Sequence, residues 1–411
     1  MAAIADEDRT LLLNALVDQK PFYGEGVWTF PSDQLNLFIR EDPWCLSLRK
    51  DAASVSELEK LAAGCKPATF GVNEQDVLDE SYRKAGKLDR NDFSLNLDVV
   101  SSGLLRTVKD SLFSWEESPR GIKAELYKLN VYGTGSFFKP HKDTPRGDDM
   151  FGSLVINFPT QHEGGALVLR HDGHGVVHDA SQATYTSDTQ VSWVAFYSDV
   201  EHEVLPVKSG HRVTLTYNLY FEKKPLAVSP TASSEPLLAA FTECLGHASF
   251  LPEGGRLGFG LKHQYPVPSD VQGQESRVFL DNLSTALKGV DAALYNACRA
   301  LNLHPKLFLA YATRRDGTFL LDYIYEGGHW IEDWNRRMEQ LSGEKIAFGE
   351  YDDDSMYDEQ PGKDLLWLLP RESRTRIKSH YIAYGNDASF GTIYGDLVLI
   401  ATVPPKSQRG V

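Results

Sequence analysis

Between Ala124 and Phe221 hydrophobic and polar positions alternate with a period of two. The runs Ala124–Tyr132, Gly152–Phe158, Gly165–Arg170, Val191–Tyr197 and His211–Phe221 are short, rich in β-branched and aromatic residues, and separated by Gly, Asp and Pro. Side chains two apart share a face of a strand, so this stretch predicts a β-sandwich or barrel. On its N-terminal side the spacing changes to three and four. Glu7–Val17, Ser54–Ala63, Glu74–Ala85 and Ser101–Phe113 predict helices, with Ser, Asp or Asn near several starts. On its C-terminal side the pattern is mixed. Asp281–Leu301 predicts one long helix and Ile331–Leu341 a second; Leu307–Tyr311, Phe319–Tyr325 and Ile393–Val403 predict strands. Pro225–Pro236 predicts a linker, and the acidic run Asp352–Glu359 a solvated loop. The expected organisation is therefore a helical support region over 1–120, a β core over 121–222 and a mixed α/β domain over 237–411, in an α+β protein.

Composition narrows the class. A chain of 411 residues is long enough for two or three domains at ~150 residues each. With 42% hydrophobic and 24% charged residues it has the makeup of a globular protein. The net charge of -15 opposes a phosphate backbone or an anionic membrane, so neither nucleic acid nor membrane is an expected partner. The apolar runs at Leu365–Leu369 and Leu397–Val403 are far short of the ~20 residues that span a bilayer. The acidic N-terminus is unlike a secretory signal. Cys45, Cys65, Cys244 and Cys298 are scattered and read as reduced thiols, so a cytoplasmic or nuclear rather than secreted protein is expected.

One constellation carries chemistry. In the extended segment His141-Lys-Asp143, the imidazole and the carboxylate two residues on can reach one ion, and His202, beyond a later strand, supplies a third ligand. Two His and one carboxylate on one side of a metal leave the opposite positions open, the ligand set of non-heme Fe(II) oxygenases. Zn(II) could take the same ligands, although a structural zinc normally has four. Arg212 opens the last strand of the core, and the period places Arg212, Thr214, Thr216 and Asn218 on one face against Val213, Leu215, Tyr217 and Leu219 on the other. A polar face inside a barrel requires a polar ligand. The further histidines His162, His171, His174 and His178 stand among Gly and Asp and are expected in exposed loops. His211 is expected on the face opposite Arg212, as a packed or capping residue.

The ordered elements Tyr132-Gly-Thr-Gly, His141-Lys-Asp143, Gly164-Gly165, Trp193-Val-Ala-Phe-Tyr, His202-Glu-Val and Arg212-Val-Thr214 resemble the prolyl 4-hydroxylase-like branch of the Fe(II)- and 2-oxoglutarate-dependent oxygenases, over roughly a quarter of the chain. The resemblance implies a double-stranded β-helix, or jelly-roll barrel, with Fe(II) held by His141, Asp143 and His202. It also implies 2-oxoglutarate paired with Arg212 beside Thr214 and Tyr132, and O2 as the oxidant. Where hypoxia-type prolyl hydroxylases carry a Tyr on the strand after His-x-Asp, Asn157 stands here, an amide that can still donate to a carboxylate. The implied reaction hydroxylates a C–H bond with release of succinate and CO2. A peptidyl (prolyl-type) or amino-acid-like substrate is expected first. A small metabolite, nucleic-acid demethylation and a barrel that only binds protein are the alternatives. Residues 237–411 would form a degenerate second barrel, a lid, or a surface pairing two copies of the chain.

Overall fold

The long alternating strands place one set of side chains in a core and the other in a cavity, and both sets are accounted for in the computed structural model of the chain. It describes residues 4–17, 22–41, 43–72, 75–113, 120–147, 149–225, 235–268, 271–273, 275–312, 318–325, 328–329, 345–348, 365–383 and 389–409. The chain divides into two units, one of residues 20–114 and 119–227, the other of residues 1–19, 115–118 and 228–411.

The first unit is built on two antiparallel sheets. The seven-stranded sheet runs Tyr23–Thr29, Gln190–Tyr197, Met150–Asn157, Arg212–Pro225, Arg120–Tyr132, Gly86–Asp89, Lys66–Pro67 in spatial order. The five-stranded sheet runs His174–His178, Leu167–His171, Glu201–Val204, Phe137–His141, Arg83–Lys84. On the strand from Arg212 the apolar set Val213, Leu215 and Leu219 is fully buried, while Arg212, Thr214, Thr216 and Asn218, on the opposite face, line a cavity whose other wall comes from the five-stranded sheet. This is the division of faces expected from the period.

Three of the four helices expected before Arg120 form, and strands accompany them. Among the described residues before Arg120 the helices are Asp6–Val17, Val55–Ala63 and Leu104–Leu112, and nine short strands occupy much of the rest. Val55–Ala63 starts at a capping box in which Ser54 and Glu57 exchange backbone bonds. The helix predicted over Glu74–Ala85 is replaced by a hairpin, Phe70–Val72 with Gln75–Val77, and a strand Arg83–Lys84. Asp79 explains the difference. Its carboxylate accepts from the Ser81 N–H at 2.8 Å and its carbonyl from Tyr82 and Arg83, a local turn that competes with helix propagation.

In the second unit, helices Asp6–Val17, Glu235–Gly246, Ser276–Ser284 and Gly289–Ala300 pack with a mixed sheet. Leu12, Leu16, Phe241, Phe259, Leu309, Tyr311 and Leu399 share its core. The predicted helix Asp281–Leu301 is two helices, interrupted where Lys288 is extended and Gly289 takes φ +47°. Tyr265 holds the break by accepting the Lys288 N–H on its hydroxyl at 3.0 Å. The expected strands Leu307–Tyr311 and Ile393–Val403 lie within Lys306–Ala312 and Ser389–Val403. The expected helix Ile331–Leu341, the acidic run 352–359 and most of the linker lie outside the described residues. No described helix is long and apolar enough to cross a membrane.

Candidate metal centre and its cavity

His141 closes the strand Phe137–His141 and stands directly across from His202 on Glu201–Val204. Asp143 follows two residues on. Their ligand atoms lie within 4.8 Å of one another, with His202 Nε2 3.7 Å from Asp143 Oδ1. Each imidazole is oriented by the backbone: His141 Nδ1 lies 2.8 Å from the Lys139 carbonyl and His202 Nδ1 3.0 Å from that of Val200. A carbonyl can only accept, so both Nδ1 atoms carry the proton and both Nε2 lone pairs are free for a metal. Burial, with His202 beside it, pushes the His141 pKa down to about 2, which keeps that imidazole in the neutral form a metal requires. Ser153 donates to Asp143 Oδ2 at 2.6 Å and leaves Oδ1 facing the imidazoles. The rings are held by packing: Phe138 stacks on His141 with centroids 3.5 Å apart, and Phe196 lies 4.7 Å from His202.

The same cavity, about 420 Å³, is lined by Arg212, Thr214 and Tyr132. Arg212 is 2% exposed and makes no ion pair among the described residues; its Nε has no hydrogen-bond partner. Burial lowers its pKa, with Tyr132 and Asp179 acting in the opposite direction. A buried guanidinium with an open edge is suited to a planar carboxylate. Gly165 makes room for it: at φ +70°, a Cβ there would lie 3.1 Å from Arg212 Cδ and 2.8 Å from Val207.

Asn157 is not on the described lining. It sits behind Arg212, accepting from its Nη2 at 2.7 Å, and its amide nitrogen lies 3.4 Å from His178 Nε2. His178 Nδ1 lies 2.5 Å from Glu25 Oε2. Because the Asn157 oxygen is taken by Arg212, its NH2 donates onward to Nε2, so His178 is neutral and carries its proton on Nδ1 toward Glu25. The expectation of exposed loop histidines is thereby corrected. His162, His171, His174 and His178 all lie on strands, and His178 is buried. The turn joining two of these strands is Asp172-Gly173, both at positive φ, a two-residue hairpin signal.

The cavity also holds residues that sequence reasoning did not single out: Ser153, Lys128 and Arg83. Lys128 and Asn130 follow from the period that selected Tyr132, whereas Arg83 lay in a stretch predicted as helix. Of the loop Thr144–Asp149, Thr144 and Arg146 line the cavity, and Asp148 lies outside the described residues.

One comparison with known proteins falls on this same stretch. The 2OG-Fe(II) oxygenase superfamily model matches residues 127–220. That superfamily uses Fe(II), 2-oxoglutarate and O2, and the three free ligand atoms and the open Arg212 edge suit such a pair. No curated protein matches the chain. Among solved structures, a Pseudomonas putida prolyl-4-hydroxylase is 18% identical and covers 52% of this chain and 98% of its own, with a TM-score of 0.30. A Trichoplax adhaerens prolyl hydroxylase in complex with a hypoxia inducible factor peptide fragment is 17% identical, covering 55% and 96%, TM-score 0.29. The viral collagen prolyl hydroxylase of Paramecium Bursaria Chlorella virus-1 is 13% identical, covering 48% and 96%, TM-score 0.27. Each likeness extends over about half of this chain.

Proposed function

We propose that the first unit is an Fe(II)- and 2-oxoglutarate-dependent dioxygenase that hydroxylates a C–H bond of a peptidyl (prolyl-type) or amino-acid-like substrate. The observation that carries this reading is the pairing of two backbone-locked imidazoles and Asp143 with a buried Arg212 that has no ion pair among the described residues, in one cavity. In this reading the two antiparallel sheets are the halves of a jelly-roll barrel. His141, Asp143 and His202 hold the metal. Arg212 takes the distal carboxylate of 2-oxoglutarate with Thr214 and Tyr132 beside it, and Asn157 aims Arg212.

Bound Fe(II) with 2-oxoglutarate and O2 supplies the oxidising chemistry: one oxygen atom enters the substrate as hydroxyl and the other enters succinate as CO2 leaves. The chain's own residues bind and orient. Ser153 turns Asp143 so that one oxygen faces the metal position, the backbone carbonyls fix the imidazole tautomers, and Phe138 and Phe196 wall the histidines. The reading is tested by anaerobic Fe(II) titration and by succinate formation in wild type, H141A and H202A. Metal binding and succinate lost in both variants, with the circular dichroism retained, is the expected result. Undiminished metal binding in both would refute it.

A further inference from the structure

Five cationic side chains, Arg83, Lys128, Lys142, Arg146 and Arg212, line the cavity, and Asp143 is the one carboxylate on its described lining. This is unusual against a chain whose net charge is -15. With Asp143 assigned to the metal and Arg212 to the co-substrate, no acid on the described lining is left for the remaining cations.

Two of them are deeply buried. Arg83 is 4% exposed and Lys128 9% exposed. Lys128 makes no hydrogen bond or ion pair among the described residues and has only the face of Tyr127, with Nζ 4.1 Å from the ring centroid. Arg83 donates to the Thr69 carbonyl and to Asn130 Oδ1, yet its Nε is buried and unpartnered. Arg146 approaches from the loop after the metal ligands, bonded to the Tyr127 hydroxyl and over the same ring at 4.5 Å. Burial and the charges of Arg83, Lys87 and Arg146 bring the Lys128 pKa down to about 7, with Asp143 the counteracting charge. Packed like charges without a counter-ion oppose folding and persist where something outside the chain neutralises them.

This cluster is separate from the Arg212 position. On the paired strands Tyr132 faces Arg212 and Lys128 faces Thr216, so the two cations sit four residues apart along one face, about 13 Å of strand. The cluster is also unlike a nucleic-acid track, which presents rows of exposed cations between stacking platforms. Here the two innermost cations line a cavity of about 420 Å³, a volume usual for a small-molecule site.

We infer that Lys128, Arg83 and Arg146 form an oxyanion site for the substrate, so that the molecule hydroxylated is a small one carrying a carboxylate or phosphate. The inference rests on the oxygenase reading and narrows it: the substrate's anion is anchored on the Lys128 side of the metal while the co-substrate is anchored by Arg212.

The test uses the full chain loaded anaerobically with Fe(II) and saturating 2-oxoglutarate in chloride-free buffer. Inorganic phosphate and propionate are titrated separately, by calorimetry and by protection of Lys128 from succinimidyl acetate, read by mass spectrometry of its peptide. An opposite charge close to the amine raises its pKa and so slows acylation at neutral pH, by about tenfold or more. Saturable binding of either probe, protection of Lys128, and affinity at least about tenfold weaker in K128M support the site; which probe binds separates a phosphate-bearing from a carboxylate-bearing substrate. Absence of binding by both, equal binding by K128M, or protection conferred by 2-oxoglutarate alone would overturn it, as would protection by a single-stranded oligonucleotide and by neither small anion. Binding of phosphate through Lys128 in a protein that does not bind 2-oxoglutarate would keep the anion site and sink the oxygenase reading. The reverse pattern would keep the oxygenase reading and sink the site.

Discussion

Replacing Lys128 by Met should stabilise the first unit, and the gain should depend on pH. Met is unbranched and close in volume, so it can follow the path of the lysine stem without the ammonium. The Lys128 pKa falls from 10.5 to about 7. At about 1.4 kcal/mol for each tenfold change in proton affinity, that sets an upper bound of about 5 kcal/mol on the cost of the buried charge. Exchanging buried charged groups for apolar ones typically returns about 1 to 4 kcal/mol, and a gain in that range is expected here. The folded chain releases the Lys128 proton near pH 7 and the unfolded chain near 10.5. Between those values the unfolded state binds more protons, so wild-type stability rises with pH. The cost is whole below pH 7, shrinks through the alkaline range, and is gone above the unfolded value. K128M should therefore exceed wild type most at pH 6 and by no more than about 1 kcal/mol at pH 10. Hydrogen exchange at the amides of Arg120–Tyr132, corrected for intrinsic rates, reads the opening of this unit without requiring the two units to unfold together. Equal protection of the two proteins at pH 6, or a gain of the same size at both ends of the range, would refute the reasoning.

The remaining predictions concern the metal and co-substrate positions. Arg212→Ala should weaken 2-oxoglutarate binding by about 2 to 5 kcal/mol, with Arg212→Lys restoring part of it, since Lys keeps the charge and loses the fork; calorimetric titration checks both. Asn157→Leu leaves the Arg212 Nη2 donor and His178 Nε2 unpaired, and about 1 to 3 kcal/mol of co-substrate affinity should go with them; an unaltered titration would remove Asn157 from the site. Ser153→Ala frees Asp143 Oδ2 and should lower Fe(II) affinity about 10- to 100-fold, measured by competition with a chromogenic chelator.

What could be read from the sequence was local or periodic. The strand from Arg212 placed Arg212, Thr214, Thr216 and Asn218 on one face because alternation is a property of the strand itself, and the same logic reaches Asn130 and Lys128 once Tyr132 is taken as facing inward. The His-x-Asp spacing likewise needed only an extended segment. Failures came where a side chain reorganised the backbone or where partners are remote in sequence. Asp79 makes a local turn with Ser81, Tyr82 and Arg83 inside a helical spacing, which hid Arg83. Asp172-Gly173 is a hairpin turn, but among neighbouring histidines and glycines it read as loop. The bonds that support the site join residues far apart in the chain: Glu25 to His178 across 153 positions, Asn157 to Arg212 across 55, and Arg83 to Asn130 across 47. Periodicity carries no information about such pairs.

The two cationic positions differ in how they are held, and the difference bears on what each binds. Arg212 is wired: Asn157, His178 and Glu25 form a chain of single-direction hydrogen bonds behind it, and Gly165 clears the space its stem occupies. A planar fork fixed in this way recognises one carboxylate in one orientation, as an invariant co-substrate requires. Among the described residues Lys128 has no such support: it has the Tyr127 ring, the attraction of Asp143 and the repulsion of its other neighbours. An ammonium on four methylenes is a point charge that can follow an anion over some distance. A site built from it fixes the sign of the ligand more firmly than its geometry. Under the proposed oxygenase reading, the arrangement suits a rigid position for the molecule consumed in every turnover and an adaptable one for the molecule hydroxylated. The proposed anion site would also account for the acidic chain keeping buried cations that have no ion pair among the described residues: their cost in the free protein would be offset by the substrate's anion, so the charge that opposes folding would favour binding.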